Sequence, residues 1–168
     1  MQIRLETTKD EAEIFMLNQA AFSSTSESLL INRLRQKHKL SISLVVEVGG
    51  RVVGHIAFSP VTIIRGKQTL AHGIGLAPVA VLPDLQKQGI GSALIYEGIR
   101  ICTEKKAGFI VVLGDPNYYN RFGFMPASKY RLSDTFGGGD AFQILTLDPA
   151  TLPDLGGTVH YVSEFDDL

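Results

Sequence analysis

The run from Thr69 to Gly114 constrains the fold most tightly. It reads "TLAHGIGLAPVAV", then the polar, glycine-bearing "LPDLQKQGIG", then "SALIYEGIRICTEKKAG", then "FIVVLG". The first and last pieces have the apolar, β-branched character of strands, the last of the fully buried type. The third is amphipathic, with Leu94, Ile95, Ile99 and Cys102 on one side. Lys105 and Lys106 fall in its last turn and Gly108 follows, a normal helix ending. Strand, helix, strand makes a β-α-β crossover, so those two strands lie parallel. Pro78 argues against regular pairing along all of the first strand, because proline cannot donate to a ladder.

The flanking segments add antiparallel pieces. "QIRLE" alternates like a strand, and "DEAEIFMLNQAAF" carries Ile14, Phe15, Leu17, Ala21 and Phe22 at helical spacing. "SSTSES" interrupts that pattern, and "SLLINRLRQKH" resumes it through Leu29, Leu30 and Leu34. "SISLVVEVGGRVVGHIAFSPVTI" predicts two strands joined at Gly49-Gly50, with a second turn at "RGK". In "DPNYYNRFG", Asp115 can cap, Pro116 can start a brief helix and Gly123 can close it. Residues 127–140, ending in "GGGD", read as the most loop-like segment. "FQILTLD" and "GTVHYV" are two further strand candidates. The predicted order β-α-α-β-β-β-α-β-α-β-β is an α/β domain with a mixed sheet. A single domain over 1–168 is expected, with 141–168 as C-terminal strands completing the sheet.

Composition narrows the class. A formal net charge of −1 gives no electrostatic case for nucleic acid or an anionic membrane surface. No uninterrupted apolar run approaches membrane-spanning length, and "MQIRLETTKDEAEI" lacks the apolar segment of a signal peptide. Cys102 is the only cysteine and cannot form an internal disulfide. His38, His55, His72 and His160 share no metal-ligand spacing with it, so no metal is expected. A cytoplasmic enzyme or binding domain fits these features.

"PDLQKQGIGSAL" at 83–94 places two glycines where a loop enters a helix. The P-loop needs Gly-Lys-Ser/Thr, and Gly66-Lys67 is followed by Gln68. The dinucleotide fingerprint needs a small residue three places after its second glycine, where Gly89-Ile90-Gly91 has Leu94. What remains is general: N–H groups from Lys87 to Ser92 lie at or before a helix N-terminus, where the dipole favours an anion. Gly89 and Gly91 keep side chains away from such an anion, or they merely let helix pack on strand. The residues leave both readings open.

"VAVLPDLQKQGIGSAL" resembles the acetyl-CoA grip of the GCN5-related N-acetyltransferase (GNAT) superfamily. Gln86, Gly89 and Gly91 fill its Q/R-x-x-G-x-G/A pattern. "YYNRFGF" is similar to the family's aromatic–Tyr–x–Lys/Arg–x–Gly–Phe element. "LGDPNYYNRFGF" and the tail look like the YhbS-like bacterial branch. The resemblance implies a GNAT-like fold with a splayed central mixed sheet flanked by helices. It implies acetyl-CoA as co-substrate, the pyrophosphate on the amides of Lys87, Gln88, Gly89, Ile90, Gly91 and Ser92, and pantetheine along Val79, Ala80 and Val81. Tyr119, four residues before Gly123, takes the place of the tyrosine that protonates the leaving thiolate. Its other reading is a core aromatic, with Tyr118 as packing partner.

The implied reaction moves an acetyl group to a primary amine of a small molecule or peptide. A non-catalytic acyl-CoA sensor is the alternative, and a homodimer stays open. No base is assigned. Glu47 on a hairpin, His72 on a strand and Glu27 after "SSTS" are the nearby candidates, and Glu27 fits a helix-cap carboxylate better. Val112 and Asp115 stand where many relatives have Asn and Ala, which removes one usual contact to pantetheine.

Overall fold

The computed structural model describes residues 1–168. Its strands are β1 (Gln2–Leu5), β2 (Ile42–Val48), β3 (Arg51–Arg65), β4 (Gln68–Val81), β5 (Phe109–Leu113), β6 (Met125–Pro126), β7 (Leu132–Asp134), β8 (Phe142–Thr146) and β9 (Gly157–Tyr161). Its α-helices are α1 (Glu11–Phe22), α2 (Ser26–Gln36), α3 (Ile90–Glu104) and α4 (Pro116–Tyr119). The strands hydrogen-bond in the order β1-β2-β3-β4-β5-β8-β6, and β9 pairs with both β3 and β7. β4 and β5 run parallel through Ile74↔Ile110 and Gly75↔Val111, as a crossover through α3 requires. β7 and β9 form a second parallel pair, and β1–β2, β2–β3, β3–β9, β5–β8 and β6–β8 are antiparallel. This is the mixed α/β sheet expected from the sequence.

Two compact units share the chain: residues 1–59, 77–100 and 163–168 form the first, and 60–76 and 101–162 the second. The first is organised by the β2–β3 hairpin. Gly49 and Gly50 have φ of 59° and 77°, the left-handed pair that a two-residue type I′ turn needs. Ile14 and Leu17 of α1, Ile31 of α2, Val45, Val52 and Ala80 pack into one cluster. In α2 the buried stripe is Leu30, Ile31 and Leu34, whereas Leu29 is 45% exposed, contrary to expectation. Consecutive helical residues are about 100° apart, so Leu29 lies about 100° or more from each of the other three and faces away from their stripe.

A polar chain crosses the first unit's interior. Asn18 donates through Nδ2 to the Ile14 carbonyl (2.9 Å) and lies 3.3 Å from His55 Nδ1. His55 Nε2 is 2.9 Å from Ser43 Oγ, which donates to Glu6 (2.6 Å); Arg35 in turn donates to Glu6 (2.9 and 3.1 Å). With Nδ1 facing an amide donor, the imidazole is neutral and carries its proton on Nε2. Burial pushes its pKa down to about 4, against the opposing pull of Glu6.

Helix α3 is seated on β3 by two missing side chains. A Cβ on Gly54 would come within 2.9 Å of Ile90 and 3.1 Å of Leu94, and one on Gly98 would collide with the Phe58 ring. This close packing fixes where α3 begins. The helix also ends earlier than predicted. Lys106 takes the left-handed position (φ 60°), and its neighbour Ala107 donates to the Cys102 carbonyl (3.0 Å). Gly108 is instead where Thr151 packs and where its carbonyl accepts from Leu147 (2.9 Å) and Asp148 (2.8 Å).

In the second unit Val61, Ile63, Phe109, Val111, Phe142, Ile144 and Val159 form the core, with Ala127 and Leu132. The segment 127–140 is more regular than the sequence suggests. It contains a 3-10 turn at Ala127–Tyr130, then β7, then another 3-10 turn at Gly139–Ala141. Leu132, Ser133 and Asp134 pair with Gly157, Thr158 and Val159, a non-local contact that gives this short segment its strand character. β6 is likewise held through Met125↔Ile144 and Pro126↔Gln143. The tail segment 141–168 contributes β8 and β9 to the sheet.

Candidate active site

The loop ahead of α3 belongs to the first unit. β4 continues through Pro78, whose bond with Ala77 is cis, to Val81. The Leu82 amide donates to the Val53 carbonyl (3.0 Å), and Pro83–Leu85 make one 3-10 turn, closed by Leu85 N–H to Leu82 O (2.9 Å). Gln86 then folds its side chain back, Nε2 donating to the Val81 carbonyl at 3.1 Å. That bond ties the loop to the end of the strand. Lys87 (φ 62°) and Gly89 (φ 90°) both adopt left-handed backbone. For Lys87 this is an uncommon conformation, whereas Gly89 takes it without a side-chain penalty.

Ala93 N–H to Gly89 O (3.0 Å) is an α-helical bond, so the N–H groups of Ile90, Gly91 and Ser92 come before it in the first turn. Gln86, Lys87, Gln88 and Gly89 are exposed, while Ile90 is buried and anchors the helix start. A Cβ at Gly89 would meet nothing within 4 Å. The loop is therefore uncovered at Gly89, and the dipole of a 15-residue helix lies behind it. Ala80 is packed in the first unit's core and Val81 is buried, so neither side chain is open to a ligand.

Tyr119 lies in the second unit. β5 ends at Leu113, and Asp115 caps α4 as predicted, Oδ1 accepting from the Asn117 amide (2.9 Å) with Pro116 in the first turn. Gly123 closes the following 3-10 turn at φ 96°. Tyr119 is 8% exposed and packs edge-on against Tyr118 (5.0 Å) and Phe124 (5.7 Å). The Arg121 guanidinium lies 4.6 Å over the outer Tyr118 ring. Burial first, and Tyr118 second, push the Tyr119 phenol up to about 12. It holds its proton throughout the neutral range, so in a proton transfer there it can serve as an acid and not as a base.

The structure adds residues that the sequence does not flag. Gly114 leaves the space that the Tyr119 ring fills. Gln143, 1% exposed on β8, donates to the carbonyls of Gly114 (3.1 Å) and Ala141 (3.3 Å) and so fixes the end of β5. A polar residue in the otherwise apolar "FQILT" is the one signal that marks it. Val112 is buried, and Asp115 is committed to its cap. Of the carboxylates weighed as base, Glu47 is held by Arg4 at 2.8 Å. Glu27 sits in the first turn of α2 with Oε2 buried; the N-cap Thr25 makes no side-chain cap bond. His72 is exposed on β4.

A protein-family model described as the Acetyltransferase (GNAT) domain matches residues 2–127. The chain belongs to the GNAT acetyltransferase family. It is 35% identical over 168 residues to the uncharacterized N-acetyltransferase YhbS of Escherichia coli K12, covering 99% of each chain. The crystal structure of YhbS from Escherichia coli in complex with CoA matches this GNAT domain with a TM-score of 0.89 at 35% identity, over 98% of this chain and 91% of that one. A GNAT acetyltransferase of Brucella melitensis in complex with acetyl-CoA matches at 0.81 and 39% identity, over 98% and 97%. These matches place it in the YhbS-like branch.

Proposed function

We propose that this GNAT domain uses acetyl-CoA to acetylate a primary amine of a small molecule or peptide by direct attack. The observation that carries the proposal is the open loop before α3, where a left-handed turn at Lys87–Gly89 leads into the unpartnered amides of the first helical turn. The two relatives seen with CoA and acetyl-CoA support it.

In this proposal the amides of Lys87, Gln88, Gly89, Ile90, Gly91 and Ser92 hold the pyrophosphate, and Gln86 acts by bracing the loop. Charge-assisted bonds of this kind are stronger than neutral ones, and the helix dipole adds to them. The backbone of Val79, Ala80 and Val81 pairs with the pantetheine arm as an added strand would. The amine nitrogen attacks the thioester carbon, a C–N bond forms, and the C–S bond breaks to release a thiolate. Tyr119 donates to that sulfur. A reference thiol has a pKa near 8.5, so full transfer from a phenol at about 12 is uphill by roughly 5 kcal/mol. Tyr119 therefore stabilises the thiolate by hydrogen bonding as C–S lengthens; the attacking nitrogen loses its surplus proton to solvent, and the thiolate takes one up from solvent. No side chain is assigned as base.

The test follows thiol release from acetyl-CoA with and without a panel of primary amines. Release that requires both substrates, and that falls steeply in Tyr119→Phe, is the expected result. Unchanged turnover in Tyr119→Phe would remove the donor role. Binding of CoA without any amine-dependent release would make the protein an acyl-CoA-binding module.

A further inference from the structure

Apart from the Tyr119 cluster, the second unit presents another aromatic pair, beside a carboxylate. Tyr161 ends β9, and its ring lies over Gly75 of β4: a Cβ there would be 2.5 Å from Cε1 and 3.0 Å from Cδ1. Gly75 is also a residue of the β4–β5 ladder, so the ring is fixed at the middle of the sheet. The Phe136 ring stands 5.7 Å from that of Tyr161, tilted by 56°, yet Phe136 is 44% exposed. Its loop is built to hold it there. Asp134, paired with Val159 of β9, accepts from the Phe136 amide (3.1 Å) and from the Gly138 amide (3.0 Å).

The electrostatics join these groups to the proposed chemistry. Burial, then Asp134, then Tyr119 raise the Tyr161 phenol well above the usual tyrosine range. Packing joins the same loop to the Tyr119 region: a Cβ on Gly138 would meet Leu113 at the end of β5, and Gly114, which leaves room for the Tyr119 ring, donates to the Ala141 carbonyl (3.0 Å). A carboxylate beside two aromatic rings, one of them open to solvent, attracts an organic cation and disfavours an anion.

We infer that Phe136, Tyr161 and Asp134 form the acceptor-recognition site and hold a cationic group of the amine substrate. The inference rests on the N-acetyltransferase reading above. The nitrogen that attacks must present a lone pair and cannot be an ammonium at that moment. The cation held by this wall is then a second one, which makes the acceptor class a diamine or other polycationic amine.

The test compares 1,4-diaminobutane, butylamine and 4-aminobutanoate as acceptors in the wild type, Phe136→Ala and Asp134→Asn. Phe136→Ala leaves the loop's main-chain bonds intact, and Asp134→Asn keeps an amide oxygen to accept from them. The expected wild-type order in kcat/KM is diamine over monoamine by about ten-fold, with the amino acid last. Each variant is expected to bring the diamine-to-monoamine ratio close to one with acetyl-CoA affinity unchanged. A wild type without diamine preference, or variants that keep it, overturns the inference. Calorimetry of 1,4-diaminobutane on the CoA-loaded protein separates the two layers. Binding weakened about ten-fold in the variants without any transfer keeps the recognition site and removes the transferase reading. Transfer to butylamine with no diamine binding does the opposite.

Discussion

Between Gln86 and Ser92 the chain offers backbone, and around Tyr119 it offers side chains. The loop's exposed side chains can change while its N–H groups stay in place, provided that Gly89 keeps its left-handed φ of 90° and Gln86 keeps its hold on Val81. The Tyr119 region works the other way. In the proposed mechanism its single functional atom is a phenol oxygen, positioned by ring packing against Tyr118 and Phe124 and by the space left at Gly114. Backbone recognition suits a donor whose pyrophosphate is the same in every reaction, whereas chemistry at one sulfur needs one placed group.

The largest effect is expected where one atom carries the function. Tyr119→Phe should lower kcat by about a hundred-fold or more while leaving acetyl-CoA affinity and the melting temperature near wild type, because the ring remains. Steady-state kinetics alongside thermal melting checks this. The same account predicts no falling limb in kcat from Tyr119 as pH rises to about 10, since its phenol titrates near 12. Next comes Gly89→Val, which forces a β-branched residue into φ 90°. It should raise the acetyl-CoA Kd by about a hundred-fold, equivalent to roughly 3 kcal/mol, with the Tyr119 chemistry intact at saturating donor. Calorimetry measures it; equal losses of kcat in both variants would erase the division of labour.

A pH effect separates the two units in another way. His55, in the first unit, has its pKa lowered by burial from 6.5 to about 4. The unfolded chain therefore binds a proton that the folded one refuses, and stability falls as pH drops from about 6.5 towards 4. The loss amounts to roughly 3 kcal/mol over that window and levels off below it. Denaturant melts of His55→Gln and wild type across that window check it: the variant should lose this slope. The smallest effect belongs to Gln86→Ala. Losing one bond to the Val81 carbonyl should weaken acetyl-CoA binding a few-fold, in keeping with about 1 kcal/mol for such a bond.

What the sequence discloses follows the same contrast. The Gly49-Gly50 hairpin, the crossover through α3 and the Asp115-Pro116 cap are local chemistry, and the chain folds as their residues predict. β6 and β7 span two and three residues, too short to show a period, and owe their form to β8 and β9 far along the chain. Gln143 and Gly114 escape for a related reason, since each matters only through a partner that the fold supplies. Nothing in "GTVHYV" marks Tyr161, whose role depends on the absent side chain of Gly75. In α2 the apolar pattern admits more than one stripe, and only packing selects Leu30, Ile31 and Leu34 over Leu29.

The central claim is that this GNAT domain grips its donor by the amides from Lys87 to Ser92. Backbone 15N–1H resonances of the protein titrated with CoA, and separately with pantetheine, test it most directly. The account predicts that the Lys87–Ser92 amides shift most with CoA and stay in place with pantetheine, which lacks the pyrophosphate. Shifts of those amides that pantetheine reproduces, or a CoA response confined to other residues, would contradict it.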